Sequence, residues 1–396
     1  MGNQPAGETS GDARFDAIRP YTDQEVPGVI SRIVTDDAFL SSVVAFRFRR
    51  MRFLSGLLKP LVKRNLIRRF GHIKTVAVFQ DQVARFMEDM IKSTTDGVSF
   101  EGFDRLERDR GYLFISNHRD IALDPAFIDL GLHRQGMDTV RIAIGDNLLR
   151  TPLATDLMKL NQSFVVDRSS KGRELLNSLS TLSDYIRLSL AEGHSIWIAQ
   201  REGRAKDGND VTDPAILKMF HLAGRRLKIP FAEYMRSLNI VPVAISYEYD
   251  PGDQDKAREL VMTEKNGSYE KSRLEDIESI VNGIRGYKGR ITVRVGDPLD
   301  RDFASAEELA GYIDSYIHSR YRLYPSNLIA LGDDAGLAAI ADPQEAARCR
   351  ETFQARMAAA PEDVRETMRR YYARPAENQK GSTQGQDAGQ GAGSQS

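Results

Sequence analysis

Short runs of consecutive apolar residues alternate along the chain with longer stretches in which apolar positions recur every third or fourth residue. The runs fall at 111–116, 139–145, 163–167, 194–200, 239–247 and 290–296, and include YLFIS, SIWIA and NIVPVAISY. Apolar residues at successive positions are what strands covered on both faces require. Amphipathic stretches of helical period, such as 171–192 and 305–321, separate these runs. The alternation predicts an α/β domain over about 91–330.

Outside that domain the pattern changes on both sides. Residues 1–36 are mostly polar, and 37–90 read as a basic amphipathic helical region. Residues 331–374 are rich in Ala, Glu and Arg and read as helix interrupted at Pro343 and Pro361. The segment 375–396 has too few apolar side chains to offset the entropy of ordering, so a disordered tail is expected. No internal repeat is present.

Charge sharpens the picture of the basic region. The formal net charge is −1, yet residues 38–80 hold ten Lys or Arg and no acid, which leaves −11 for the remainder. Phe46, Phe48, Met51, Phe53, Leu57, Leu61 and Ile67 are interleaved with those charges. That composition suits a helix lying among anionic lipid head groups. A solvated face over a core is the plainer reading, and a nucleic-acid surface gives no reason for so many large apolar side chains. No stretch approaches the roughly 18 apolar residues needed to cross a bilayer. The polar, acid-bearing start lacks the features of a secretory signal, and Ala6 breaks the myristoylation pattern. The expectation is a protein without a transmembrane helix, peripheral on the cytoplasmic face of a membrane. A single cysteine, Cys349, permits no intramolecular disulfide and no multi-cysteine zinc site, which fits a reducing compartment.

Candidate chemistry concentrates at 114–127, FISNHRDIALDPAF. His118, Arg119 and Asp120 spell the start of a protein-kinase catalytic loop. The position that should supply a magnesium-binding Asn is Pro125, however, and neither Asp-Phe-Gly nor a glycine-rich loop is present, so that reading fails. The six histidines include no pair at the spacing of a helical zinc site, and no metal is expected. Acid–base chemistry remains: an imidazole can take a proton from a hydroxyl when a carboxylate holds its other nitrogen protonated and aimed. Asp120 and Asp124 are both candidates for that carboxylate. Their plainer roles are turn residue and helix N-cap.

Here the chain resembles the glycerolipid acyltransferases, which include the glycerol-3-phosphate and lysophosphatidate acyltransferases. Their first motif is a His and an Asp separated by four residues; in NHRDIALD the interval from His118 to Asp124 is five. The later blocks follow in the family's order. SFVVDR resembles the second and places Arg168 at a strand end. SIWIAQREGRAKDG resembles the third, with Glu202 and Gly203 matching and Arg204 one position early. NIVPVAISYEYD around Pro242 and GRITVRVGDPL resemble the remainder, so the likeness covers roughly 100–300.

The resemblance implies a mixed, largely parallel sheet flanked by helices, and transfer of a fatty acyl group from acyl-CoA or an acyl-carrier protein to glycerol-3-phosphate or 1-acylglycerol-3-phosphate. The partners it implies are that thioester, that phosphorylated acceptor and an anionic membrane surface, with no cofactor and no nucleic acid. His118 would act as base, steadied by Asp124 or Asp120. Arg168 and Arg204 would grip the phosphate, since a guanidinium can donate two parallel hydrogen bonds. Gly203 would let backbone approach the anion, Glu202 would hold an arginine or the acceptor hydroxyl, and Lys206 and Lys171 would be weaker phosphate ligands. Two other classes stay open: a thioesterase or esterase using the same histidine, and a non-catalytic lipid-binding protein of the same fold.

Overall fold

The computed structural model describes residues 8–47, 55–272 and 275–391. Seven strands among them form one sheet: β1 (Gly97–Glu101), β2 (Leu113–Ser116), β3 (Arg141–Gly145), β4 (Ser163–Val166), β5 (Ile196–Ala199), β6 (Ile240–Tyr247) and β7 (Arg290–Val295), in the order β1-β7-β6-β2-β5-β3-β4. From β6 to β4 all neighbours are parallel, β7 runs antiparallel to β6, and β1 is parallel to β7. The sheet is thus mixed and largely parallel, as expected.

The six apolar runs are β2 to β7. The seventh strand, β1, is an edge strand whose residues GVSFE are partly exposed, so it lacks the consecutive apolar signature. Pro242 sits within β6, a position that ordinarily excludes proline. The antiparallel ladder to β7 begins only at Val243, which spares the missing N–H.

Both faces of the sheet are covered. Leu113, Ile115, Ile196, Ile198 and Ile240 point to a core shared with helices Gly172–Ala191, Pro214–Arg226 and Ala306–Arg320. Their neighbours Phe114, Trp197, Val241 and Val243 point the other way, onto helices Val76–Thr94 and Leu123–Arg134. Alternation of side chains along each strand, with helices on either face, makes every strand position apolar.

The flanking regions are helical. Val26, Val29, Ile30, Ile33 and Val34 form the buried stripe of helix Val26–Thr35, packed on Ile73 and Leu160. Helices Asp37–Arg47 and Ser55–Phe70 bury Leu40, Val44 and Val62 together, while Leu61 is 66% exposed and Ile67 45%. Arg49, Arg50 and Arg52, with Phe48, Met51, Phe53 and Leu54, lie outside the described residues. At the other end Pro343 opens helix Pro343–Ala359, and Pro361 precedes helix Glu362–Gly391. That last helix buries Val364, Met368, Tyr371, Tyr372, Ala373 and Ala376 and continues over 375–391, the stretch whose composition reads as a tail. Among the described residues no helix is long and apolar enough to cross a membrane.

Candidate active site

Parallel strands send their C-terminal ends to one edge of a sheet, where open α/β folds place ligands. β2 ends there in Asn117 and His118, β5 in the loop 200–213, and β4 in Asp167 and Arg168. Asn117 is buried and hooks β2 to β6: its Nδ2 donates to the Ile245 carbonyl (2.9 Å), and the Ile245 N–H donates to its Oδ1 (2.8 Å). The Trp197 indole donates to Ser116 Oγ at 2.9 Å, and its ring meets the His118 imidazole edge-on with centroids 5.5 Å apart. These contacts fix where the imidazole begins and what it leans on.

Asp124 holds that imidazole. His118 Nδ1 lies 2.9 Å from Asp124 Oδ2, which also accepts the backbone N–H groups of Arg119 (2.5 Å) and Asp120 (2.9 Å). The Tyr247 hydroxyl donates to Asp124 Oδ1 at 2.7 Å. Burial, and then the Asp124 carboxylate, push the Tyr247 phenol well above its ordinary pKa, so it stays a donor. The carboxylate can only accept from the ring, so Nδ1 carries the hydrogen, and in the neutral imidazole Nε2 is the nitrogen with the lone pair. Asp124 is fully buried whereas the His118 side chain keeps 14% of its surface. The arrangement is a histidine oriented by a carboxylate with its other nitrogen available, which is what general-base chemistry requires.

Asp120 does something else. Its Oδ1 accepts the N–H groups of Ala122 (3.0 Å) and Leu123 (2.9 Å), closing the turn that brings Asp124 back under the ring. Burial, then the neighbouring Asp124, push its carboxyl above the usual range. Asp120 makes no described hydrogen bond to His118. Arg119 is buried and points away, pairing with Asp210.

His118 opens onto a cleft of about 470 Å³. Arg168, Arg201, Glu202, Gly203, Arg204 and Lys206 line the same cleft. The geometry therefore brings together His118 and both arginines singled out in the sequence. Arg168 reaches Glu202 at 3.3 Å, with side chains 37% and 73% exposed. Arg204 donates to Ser279 Oγ at 2.7 Å and has no carboxylate partner among the described residues. Gly203 takes a left-handed backbone (φ 74°) that disfavours other residues, and it leaves the space above it open. Lys206 is paired with Glu259, and Lys171 stands beside the cleft rather than in its lining. Val166, Leu175, Leu179, Ile198, Ile216 and Met219, drawn from β4, β5 and two helices, give the cleft an apolar part, and Asn147, Asp167, Ser170, Asp213, Lys271 and Asp276 add further polar groups to its lining. Among the described residues no group of three or more His, Cys, Asp or Glu could hold a metal ion.

Sequence reasoning missed Tyr247, Arg201 and the contact between Trp197 and His118. Arg201 follows a predicted strand as Arg204 does, and that placement was a usable signal. Tyr247 carries none, because only strand order brings β6 beside β2.

A cleft built on a histidine–carboxylate pair at this edge, with both guanidinium groups and apolar side chains in its lining, suits group transfer to a polar acceptor from an apolar donor. Residues 97–246 match the family model described as Acyltransferase. That match spans His118, Asp124, Arg168 and the loop after β5, so the chain carries an acyltransferase domain there. A crystal structure of the 1-acyl-sn-glycerophosphate (LPA) acyltransferase, PlsC, from Thermotoga maritima is similar at 13% identity, covering 74% of this chain and 91% of that one, with a TM-score of 0.37. A likeness that loose bears on no detail of the site. No curated protein matches the sequence.

Proposed function

We propose that this enzyme moves a fatty acyl group from an acyl thioester, acyl-CoA or acyl-carrier protein, to a hydroxyl of glycerol-3-phosphate or 1-acylglycerol-3-phosphate. The observation that carries the reading is that His118, Arg168 and Arg204 line one cleft together with apolar side chains. His118 Nε2 takes the proton of the acceptor hydroxyl as its oxygen attacks the thioester carbonyl carbon. The carbon–sulfur bond then breaks, and the leaving thiolate recovers the proton from the imidazolium. Asp124 balances the imidazolium charge throughout, so no acyl-enzyme is needed. Arg204, and Arg168 on release from Glu202, hold the phosphate, and Gly203 leaves room for it. General-base assistance of this kind is worth roughly 10²–10⁴ in rate, and fixing acceptor and donor in register contributes further.

The same reading places the protein against a bilayer, where a long-chain product belongs. Exposed Leu61 and Ile67 stand on the basic helix Ser55–Phe70, as an interfacial helix should present them. The test is turnover of labelled acyl-CoA by purified protein with and without each acceptor, followed by identification of the product. Acceptor-dependent ester formation, lost in His118→Ala with the melting temperature kept, is the expected result. Free fatty acid released at the same rate without acceptor would make the protein a thioesterase instead.

A further inference from the structure

We propose that Arg119 is a positioning residue that fixes the His118 turn and the 200–213 loop relative to one another, and that the last helix, Glu362–Gly391, shares in this through Tyr371. The proposal rests on the functional reading above.

Arg119 directly follows the base and is 2% exposed. Its Nη2 donates to Asp210 Oδ2 (2.5 Å) and to the Gly208 carbonyl (3.2 Å), both near the far end of the loop after β5. At the near end of that loop the Ala205 N–H donates to the His118 carbonyl at 2.9 Å. Asp210 also accepts from Asn117 Nδ2 (3.4 Å), so one carboxylate ties together the residues on either side of His118. Just before these ties lies the stretch Glu202 to Arg204, exposed at Glu202 and Gly203 and half-buried at Arg204, offered above as the acceptor's anchor. A buried ion pair with hydrogen bonds on both partners has one geometry, and these two partners sit on the two loops that must agree for transfer to occur.

Helices outside the family match close the arrangement. The Arg119 guanidinium lies against the rings of Tyr321 (5.5 Å) and Tyr371 (5.2 Å). The Tyr371 hydroxyl is held by Asp250, which leaves the end of β6 and pairs with buried Lys256. Gly208 turns left-handed (φ 75°) directly under the Tyr371 carbonyl, where any side chain would collide with it. The residue that grips the loop is thus itself gripped from Tyr371, far beyond position 246.

The test is steady-state kinetics of the full chain with acyl-CoA and whichever of glycerol-3-phosphate or 1-acylglycerol-3-phosphate the wild type acylates. The variants are Arg119→Met, Asp210→Leu, their double mutant and Tyr371→Leu. Arg119→Met should raise the acceptor KM and lower kcat together, each by roughly tenfold or more, as misplacement of about 1 Å does. The double mutant should regain melting temperature, because no lone buried charge remains, while its acceptor KM stays raised. Tyr371→Leu should raise that KM a few-fold. A purely structural pair predicts that kcat and KM per folded enzyme return with the melting temperature in the double mutant, and are unchanged in Tyr371→Leu; that result overturns the proposal. Should Arg119→Met fail to fold, the double mutant and Tyr371→Leu decide it. A wild type with no acceptor-dependent turnover overturns the reading of the site and this proposal with it.

Discussion

The turn after β2 and the loop after β5 leave neighbouring strands at the same edge of the sheet, yet they are built in opposite ways. In the turn, Asn117, Arg119, Asp120 and Asp124 are buried, and both oxygens of Asp124 are supplied with donors. In the loop, Glu202 and Gly203 face solvent, and Arg168 rests on Glu202 at 3.3 Å. A base must be aimed before the substrate arrives, because aim lost at that moment is rate lost. Under the proposed function, an anion anchor must instead exchange its resting partner for phosphate. An exposed ion pair is held by only about 0–1 kcal/mol, so that exchange is easy, whereas the His118–Asp124–Tyr247 chain, anchored on two buried residues, could not be rearranged so freely.

Mutations on the two sides should therefore fail differently. The largest effect belongs to Asp124→Ala, which removes the orienting group: kcat should fall by about 10³–10⁴, the scale set by losing the acid of a catalytic triad, with the acceptor KM nearly unchanged. A change confined to KM would show that the turn is not preorganised for chemistry. Next comes Arg204→Gln, which deletes the one cleft arginine without a described carboxylate partner. Its acceptor KM should rise about 10–100-fold, the worth of a hydrogen bond to a charged group, with the smaller change in kcat. Smaller again is Glu202→Gln, which removes only the resting partner of Arg168 and should move KM by less than about threefold. If Glu202→Gln proves as harmful as Arg204→Gln, the loop is as rigidly organised as the turn and the contrast disappears.

The sequence made one side of this contrast easier to read than the other. Strand ends are visible where apolar runs stop, so His118, Arg168, Glu202 and Arg204 could be placed at one edge without coordinates. Which acid faces the imidazole could not, because Asp120 and Asp124 are both close to His118 in sequence. The answer lies in the path of 119–123: Asp120 caps that turn, and Asp124 in the first turn of helix Leu123–Arg134 comes back beneath the ring. The five-residue interval is accommodated by this turn. Tyr247, 123 residues from Asp124, arrives by strand order, which no local pattern encodes. Arg119 was visible as a charge and not as a buried one, since its partners Asp210 and Tyr371 come from separate elements. Strand β1 was missed for the opposite reason, being too exposed to look like a core strand.

Asp120→Asn should have the smallest effect on turnover, and it sharpens the assignment within the buried turn. An asparagine keeps the Oδ1 acceptor that receives the Ala122 and Leu123 N–H groups, so the turn should hold and kcat should stay close to that of wild type. Its signature is in stability. Burial, then Asp124, raise the Asp120 carboxyl above the ordinary 3.8. An acid raised in the folded state contributes stability that is fully present below its unfolded pKa and lost as pH rises through the folded one. Asparagine does not titrate, so the melting temperature of Asp120→Asn relative to wild type should climb as pH rises from about 4 and level off once the wild-type carboxyl has ionised. Thermal denaturation of both proteins across that range measures it. A difference that shrinks with rising pH contradicts the stated shift, and a kcat as low as that of Asp124→Ala would transfer the orienting role to Asp120, because only the acid that holds Nδ1 can be indispensable to a base acting through Nε2.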